Sequence, residues 1–363
     1  RLVKIMFKLP QLPKVKKPDQ NKVPLKNLQG LPLFNLGELD IRKEIGRGSF
    51  STVSLVTSKS DEVCVVKVLH NLEDEGKDIF LKEARLLNMC KHENIVSFKG
   101  ICMSPPALLF AYSYFDLKPF EQDLRVSTVK SLLKEIDQDS WLSAFEHVVP
   151  VIATEVTKGL KYLHDNGIVH RDLKPDNILV SNQHYCELKD HVQVQEKWMN
   201  TPIKCKLTDF GESHSSLIKT QSFHMTNTRN LDRGTPAFMA PEITLPELVK
   251  LQENGSIEFL KKVDIWALGL VFYNLVNPTL SCPFKYDFIK NGVKVQDYGL
   301  FIRGMLRKRQ LPTPVPRFSK HQLSGKWHLV HSAFLRCASF TAQDRPDVSE
   351  VLNFLSSRYG HPT

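Results

Sequence analysis

Gly46 and Gly48, in the run Gly46-Arg47-Gly48-Ser49-Phe50-Ser51-Thr52-Val53, sit between two apolar, strand-like stretches. Glycine lets a backbone come close to phosphate oxygens, whose charge is then met by N–H groups. Such a run is weak alone, because glycine-rich hairpins are common. Its strand–loop–strand setting argues against a dinucleotide turn, which should open a helix. Lys67 ends the apolar run Cys64-Val65-Val66-Lys67, and Glu83 stands sixteen residues on. A strand lysine commonly reaches for water. Paired with an acid on the following helix, it can instead hold phosphates. Further on, His170-Arg171-Asp172-Leu173-Lys174-Pro175-Asp176-Asn177 packs six polar side chains into eight residues. A solvated loop has no need of that order of types. Thr208-Asp209-Phe210-Gly211 follows, and then Ala240-Pro241-Glu242. The order of these motifs carries more than any one of them.

The elements that must position them can be read from periodicity. Residues 39–45 alternate as a half-buried strand, and the Val-rich runs 52–57 and 63–69 read as two more, separated by a polar turn. Residues 74–90 change to helical spacing, with Ile79, Phe80, Ala84 and Leu87 in one stripe. Strands near 95–102 and 107–113 complete a small sheet-rich lobe. The remainder reads as mainly helical. Residues 146–165 keep an apolar face closed by Gly167 as a C-terminal cap. Residues 263–276 make a very apolar helix suited to a lobe centre, and two further helices are expected across 327–337 and 348–359. The polar stretches 116–140 and 181–203 read as loop insertions.

Composition sets the bounds. The chain has 363 residues, 42% hydrophobic and 24% charged, which suits a water-soluble globular domain with a large core. No stretch approaches the roughly 20 apolar residues that cross a bilayer, and no signal peptide of the usual form opens the chain. Its seven cysteines are scattered without a CxxC pair, which argues against a disulfide framework or zinc site and favours a reducing, cytoplasmic setting. The net charge of +10 is uneven, for residues 1–35 hold eight cations against Asp19. With five prolines, that leader is expected to stay extended outside the folded domain. It could meet an acidic partner or membrane surface; specific nucleic-acid binding is not expected. A second basic run, Arg303 to Arg309, reads as a solvated helix face.

These motifs, in this order over roughly residues 39–360, resemble the signature set of the eukaryotic protein kinases. The resemblance extends to Val263-Asp264-Ile265-Trp266-Ala267-Leu268-Gly269, similar to the family's central C-lobe helix, and to Asp344-Arg345-Pro346, where Arg345 would partner Glu242. It implies a bilobal α+β fold, with an N-lobe over about 36–110 and a C-lobe over about 114–360. It also implies roles. The loop with Gly46, Arg47, Gly48 and Ser49 would cover the phosphates of ATP; Val53, Val65 and Leu179 would sandwich its adenine. Lys67 would bind phosphates and Glu83 would hold Lys67. Asp172 would accept the substrate's hydroxyl proton, while Asn177 and Asp209 would hold Mg²⁺. Lys174 and Thr235 resemble the pair found in serine/threonine kinases, and the tract 238–242 leans towards the tyrosine-kinase-like branch. Arg171 before Asp172 implies control by phosphorylation of the Ser/Thr-rich segment 212–233.

The departures are modest. Ser51 replaces the third loop glycine, Val65 stands where alanine is usual, and Ala111 replaces an acid often seen in the hinge. Phe110 would guard the back pocket, or Ala111 or Tyr112 in a shifted register. The alternatives are a pseudokinase scaffold, a dual-specificity kinase, a small-molecule kinase of related fold, or the cytoplasmic part of a receptor with residues 1–35 beside a membrane. A scaffold would be expected to lack Lys67, Asp172 or Asp209, and all three are present.

Overall fold

The computed structural model describes residues 28–357 apart from 49–50, 71–73, 137–144, 216–235, 246, 248–255, 281, 295–296 and 324. Five strands, β1 (Asp40–Arg47), β2 (Ser51–Thr57), β3 (Val63–Leu69), β4 (Phe98–Met103) and β5 (Pro106–Ala111), form one antiparallel sheet in the order β1-β2-β3-β5-β4. Strand β3 is central and Val-rich, as β-branched side chains favour. Its registers pair Val53 with Lys67 and Val65 with Phe110. Helix α1 (Asp74–Met89) packs its buried face, Phe80, Leu81, Ala84 and Leu87, into a core shared with Ile101 and Leu108 of the sheet.

The opposite face of the sheet has its own small core of Val56, Cys64, Val66, Cys102, Ala107 and Leu109. Phe34, Leu36 and Leu39 pack against it. Residues 32–34, inside the stretch read as a solvated leader, run parallel to β4: Ile101 donates its N–H to the Pro32 carbonyl at 2.9 Å, and Phe34 donates to Ile101 at 3.1 Å.

The second lobe is helical. The long helix α3 (Val148–Asp165) ends at Asn166 with Gly167 at φ +62°, the left-handed geometry a helix stop requires. Helix α6 (Ile257–Leu275) runs through the lobe centre, buried almost all round from Asp264 to Leu275, and Ser256 caps it by accepting the Phe259 N–H at 3.1 Å. Hydrophobicity alone starts it at 263, because the two turns before Asp264 are amphipathic and less apolar. Besides the short helices α5 (Pro241–Thr244), α7 (Lys285–Lys290) and α9 (Ser319–Leu323), α10 (His328–Cys337) and α11 (Val348–Ser356) complete the core, the last opened by a reciprocal Asp347–Glu350 capping box. Among the described residues no helix is long and apolar enough to cross a membrane.

Both expected loop insertions contain helices. Within 116–140, β6 (Phe115–Asp116) pairs with β7 (Arg125–Val126), and α2 (Val129–Ile136) buries Val129, Leu132, Leu133 and Ile136 at helical spacing. Within 181–203, Asp190 accepts the Val192 N–H at 2.9 Å and opens α4 (His191–Asn200). Trp198 of α4 packs on Phe120, with ring centroids 4.6 Å apart, and on Phe145 and His147. No residue of α4 is fully buried, and Val192 and Met199 are exposed, so the Trp198 ring is its main anchor, which periodicity does not reveal. The second basic run is a solvated face as expected, with Arg303, Arg307, Lys308 and Arg309 all exposed; on it Arg307, ending α8 (Tyr298–Arg307), pairs with Glu247 at 2.7 Å, and the Arg309 guanidinium lies over the Phe340 ring.

Candidate active site

Period-two geometry puts Val65 and Lys67 on one face of β3, and pairing adds Val53 and Phe110 to it. Val53, Val65 and Leu179 are half-buried, as walls of a cleft rather than filled core. Phe110 is buried and meets Phe98 edge-on at 6.1 Å. The glycine-rich hairpin closes with Gly48 donating to the Ser51 carbonyl at 2.8 Å. Among the described residues, a Cβ on Gly48 would meet nothing closer than the Ser51 carbonyl at 3.9 Å. Arg47 instead pairs with Glu44 of its own strand at 2.6 Å, and Ser49 lies outside the described residues.

Lys67 joins the two lobes. Its ammonium lies 2.9 Å from Asp209 Oδ1 and 3.3 Å from Glu83 Oε1. Burial alone would lower its pKa, but the two carboxylates outweigh burial and raise it, so the cation persists. Burial likewise pushes the Glu83 carboxyl up, while Lys67 draws it back. For Asp209 burial is outweighed by Lys67, and the carboxylate is held below its usual range. Asp209 sits at φ +64° and is 44% exposed by its side chain, so a carboxylate is fixed yet open to a ligand.

The loop after β8 (Ile168–Val169) supplies the second group. Asp172 Oδ2 accepts from Lys174 Nζ at 2.6 Å and from Asn177 Nδ2 at 3.0 Å. The Asn177 amide nitrogen also reaches the Asp172 carbonyl at 2.8 Å, which leaves its amide oxygen as the atom able to bind a cation. Asn177 leads into β9 (Ile178–Ser181), which pairs with β10 (Lys204–Leu207). The Thr208 N–H bonds the Asn177 carbonyl at 3.0 Å, setting Asn177 beside Asp209. A hard cation with oxygen ligands suits that donor set.

Asp264 shapes the loop from beneath. It is fully buried and accepts the His170 and Arg171 N–H groups at 2.8 Å each, and the His164 ring at 3.0 Å. Burial would raise its pKa; the His164 hydrogen bond and its neighbours hold it low. Arg171 is thereby kept at φ +69°, a left-handed conformation costly for arginine. Sequence reasoning saw Asp264 within a motif but gave it no role; a lone acid inside an apolar helix was the available signal. His170 donates its ring N–H to the Thr208 carbonyl at 3.0 Å and packs on Phe210, which ties the Asp172 loop to the Asp209 turn. His214, in β11 (His214–Ser215) paired with β8, feels the charges of Lys82 and Arg171 and was also missed.

Thr235 lies outside the described residues, as does most of the 212–233 segment. Of its hydroxyls, Ser213 and Ser215 are buried, and Ser213 donates to the His170 carbonyl at 3.2 Å. These two are structural rather than open to modification. The expected Glu242–Arg345 pair is present and buried, bidentate at 2.6 and 2.7 Å.

A small antiparallel sheet with one helix, joined to a helical lobe through a Lys–Glu–Asp bridge, defines a protein kinase fold. The chain matches the protein kinase domain over residues 39–320 and belongs to that family. It is similar to a probable serine/threonine-protein kinase of Dictyostelium discoideum, 24% identical over 326 residues, which cover 89% of this chain and 28% of that protein. It is 25% identical over 322 residues to a probable receptor-like protein kinase of Arabidopsis thaliana, 87% of this chain and 41% of that one. Human serine/threonine-protein kinase Nek5 is 25% identical over 320 residues, 87% of this chain and 36% of Nek5. The chain thus spans less than half the length of these relatives.

Proposed function

We propose that this chain transfers the γ-phosphate of ATP to serine and threonine hydroxyls of protein substrates. One observation carries the reading: Lys67, Glu83 and Asp209 form one charged bridge, and Asp172 stands beside it between Lys174 and Asn177. The acceptor oxygen attacks the γ-phosphorus as the bond from that phosphorus to the bridging oxygen breaks, and ADP leaves. The hydroxyl proton passes to the Asp172 carboxylate. Lys174, 2.6 Å from that carboxylate, orients it and offsets charge on the transferring oxygens. Lys67 holds the remaining phosphates, and the hairpin around Gly46 and Gly48 lies over them. Asn177 and Asp209 would hold Mg²⁺, which supplies positive charge against that of the phosphates.

The serine/threonine preference is supported by Lys174 and by the similarity to serine/threonine-protein kinases of Dictyostelium discoideum and human. Phosphoamino-acid analysis of peptides carrying Ser, Thr and Tyr acceptors tests it; phosphotyrosine as the main product would overturn it. Phosphorylation within residues 216–233, with Arg171 receiving the phosphate, is proposed as the control. Seven free cysteines, five of them buried, support work in a reducing compartment.

A further inference from the structure

The family match begins at residue 39, yet the described chain is already built into the fold from Leu28. Four contacts fix this preceding segment. Asn88, at the C-terminal end of α1, donates its side-chain N–H to the Gly30 carbonyl at 3.1 Å. Leu28 and Leu31 pack against the core cluster that holds Leu86, Leu87 and Ile101. Residues 32–34 close the edge of the sheet along β4 through the two Ile101 hydrogen bonds. Phe34, Leu36 and Leu39 then cross to the sheet face opposite α1. Gly100 makes room for this path: a Cβ there would meet the Pro32 oxygen at 3.1 Å and the Phe34 ring at 3.2 Å.

We propose that residues 28–39 are a strap that sets the position of α1, with Asn88, Gly100 and Phe34 as positioning residues for the Lys67–Glu83 pair. The pair is sensitive to small shifts. At 3.3 Å it lies at the outer limit of a hydrogen bond, whereas Lys67 to Asp209 is 2.9 Å. Asn88 lies about 7–8 Å beyond Glu83 along a rigid helix, so a displacement of a few tenths of an ångström at one end reaches the other. The strap therefore tunes the grip of Lys67 on a phosphate without touching the ligand.

The test uses the full chain with Gly100→Ala, which crowds the strap, and Asn88→Ala, which releases one contact and leaves the core intact. Amide hydrogen exchange is read at Phe34 and Ile101 for the strap, at residues 83–88 for α1, and at residues 266–270 as a reference. The expected result is exchange about tenfold faster, or about 1.4 kcal/mol, at the strap and α1 together, with the reference unchanged. ADP affinity in magnesium buffer should fall about three- to tenfold. Faster strap exchange with α1 and ADP affinity at wild-type values would overturn the proposal. So would a uniform rise across all three segments, which marks general loosening. The affinity arm rests on the ATP reading and the exchange arm does not. A chain that binds no ADP but shows coupled exchange keeps the strap and loses that reading.

Discussion

Asp264 holds two consecutive backbone N–H groups and a histidine in one buried carboxylate, and the Asp172 loop takes its shape from that grip. Asp264→Asn would set an amide nitrogen among donors. Hydrogen bonds to a charged group are worth about 1.5–3 kcal/mol each, so kcat for peptide phosphorylation should fall about 10- to 100-fold, while ADP affinity changes less than about twofold. Equal losses in both would contradict a positioning role. His214 makes a pH prediction. Burial, Lys82 and Arg171 push its pKa down to about 4. An unfolded histidine titrates near 6.5, so between those values the unfolded chain binds a proton that the folded chain refuses. This contribution is complete above about 6.5 and is lost as pH falls through the window. His214→Asn should flatten the decline of urea-unfolding stability between pH 6.5 and 4; an unchanged slope would count against it.

At the scale of elements, the insertion between β9 and β10 hangs on Trp198. Burying an aromatic contributes several kcal/mol; because this ring is only half-buried, Trp198→Ala should cost about 1–2 kcal/mol and free α4 to proteolysis first. Limited digestion that still cuts elsewhere before residues 191–200 would contradict that. The sheet, α1, α3 and the Asp172 loop were legible because their periodicities and motif spacings are local. Thus β3 announced itself through consecutive Val and Cys residues, and Lys67 and Glu83 met as the family resemblance implied. Helix α2 was hidden behind its polar approach at 118–125, although Val129, Leu132, Leu133 and Ile136 carry the period. Helix α4 was hidden because its packing lies in one residue and in partners from distant segments. The strap could not be read, since prolines and lysines earlier in the leader suggested solvent, while its fold depends on Gly100 far along the chain. Asp264 is the same lesson in the site: its partners lie about a hundred residues away in sequence.

Across the whole molecule, charged contacts tie parts distant in the chain. Lys67 with Asp209 spans the lobes, and Arg345, bound to Glu242 and to the Lys262 carbonyl, locks the segment after the Asp209 turn onto the first turns of α6. The second pair is buried, and removing one partner of such a pair strands a charge at about 3–5 kcal/mol. Arg345→Met should therefore lower urea-unfolding stability by about that amount; a loss below about 1 kcal/mol would contradict the role. The central claim is phosphoryl transfer with Asp172 as the base, Asp209 being the carboxylate that would hold Mg²⁺ against the phosphates. Its most direct measurement is transfer of radiolabelled γ-phosphate from ATP to a serine/threonine peptide library by the wild-type chain, Asp172→Asn and Asp209→Asn. The account predicts incorporation by the wild-type chain and a loss of at least about 100-fold in both variants, with ADP still bound by Asp172→Asn. Equal incorporation by all three chains would contradict it.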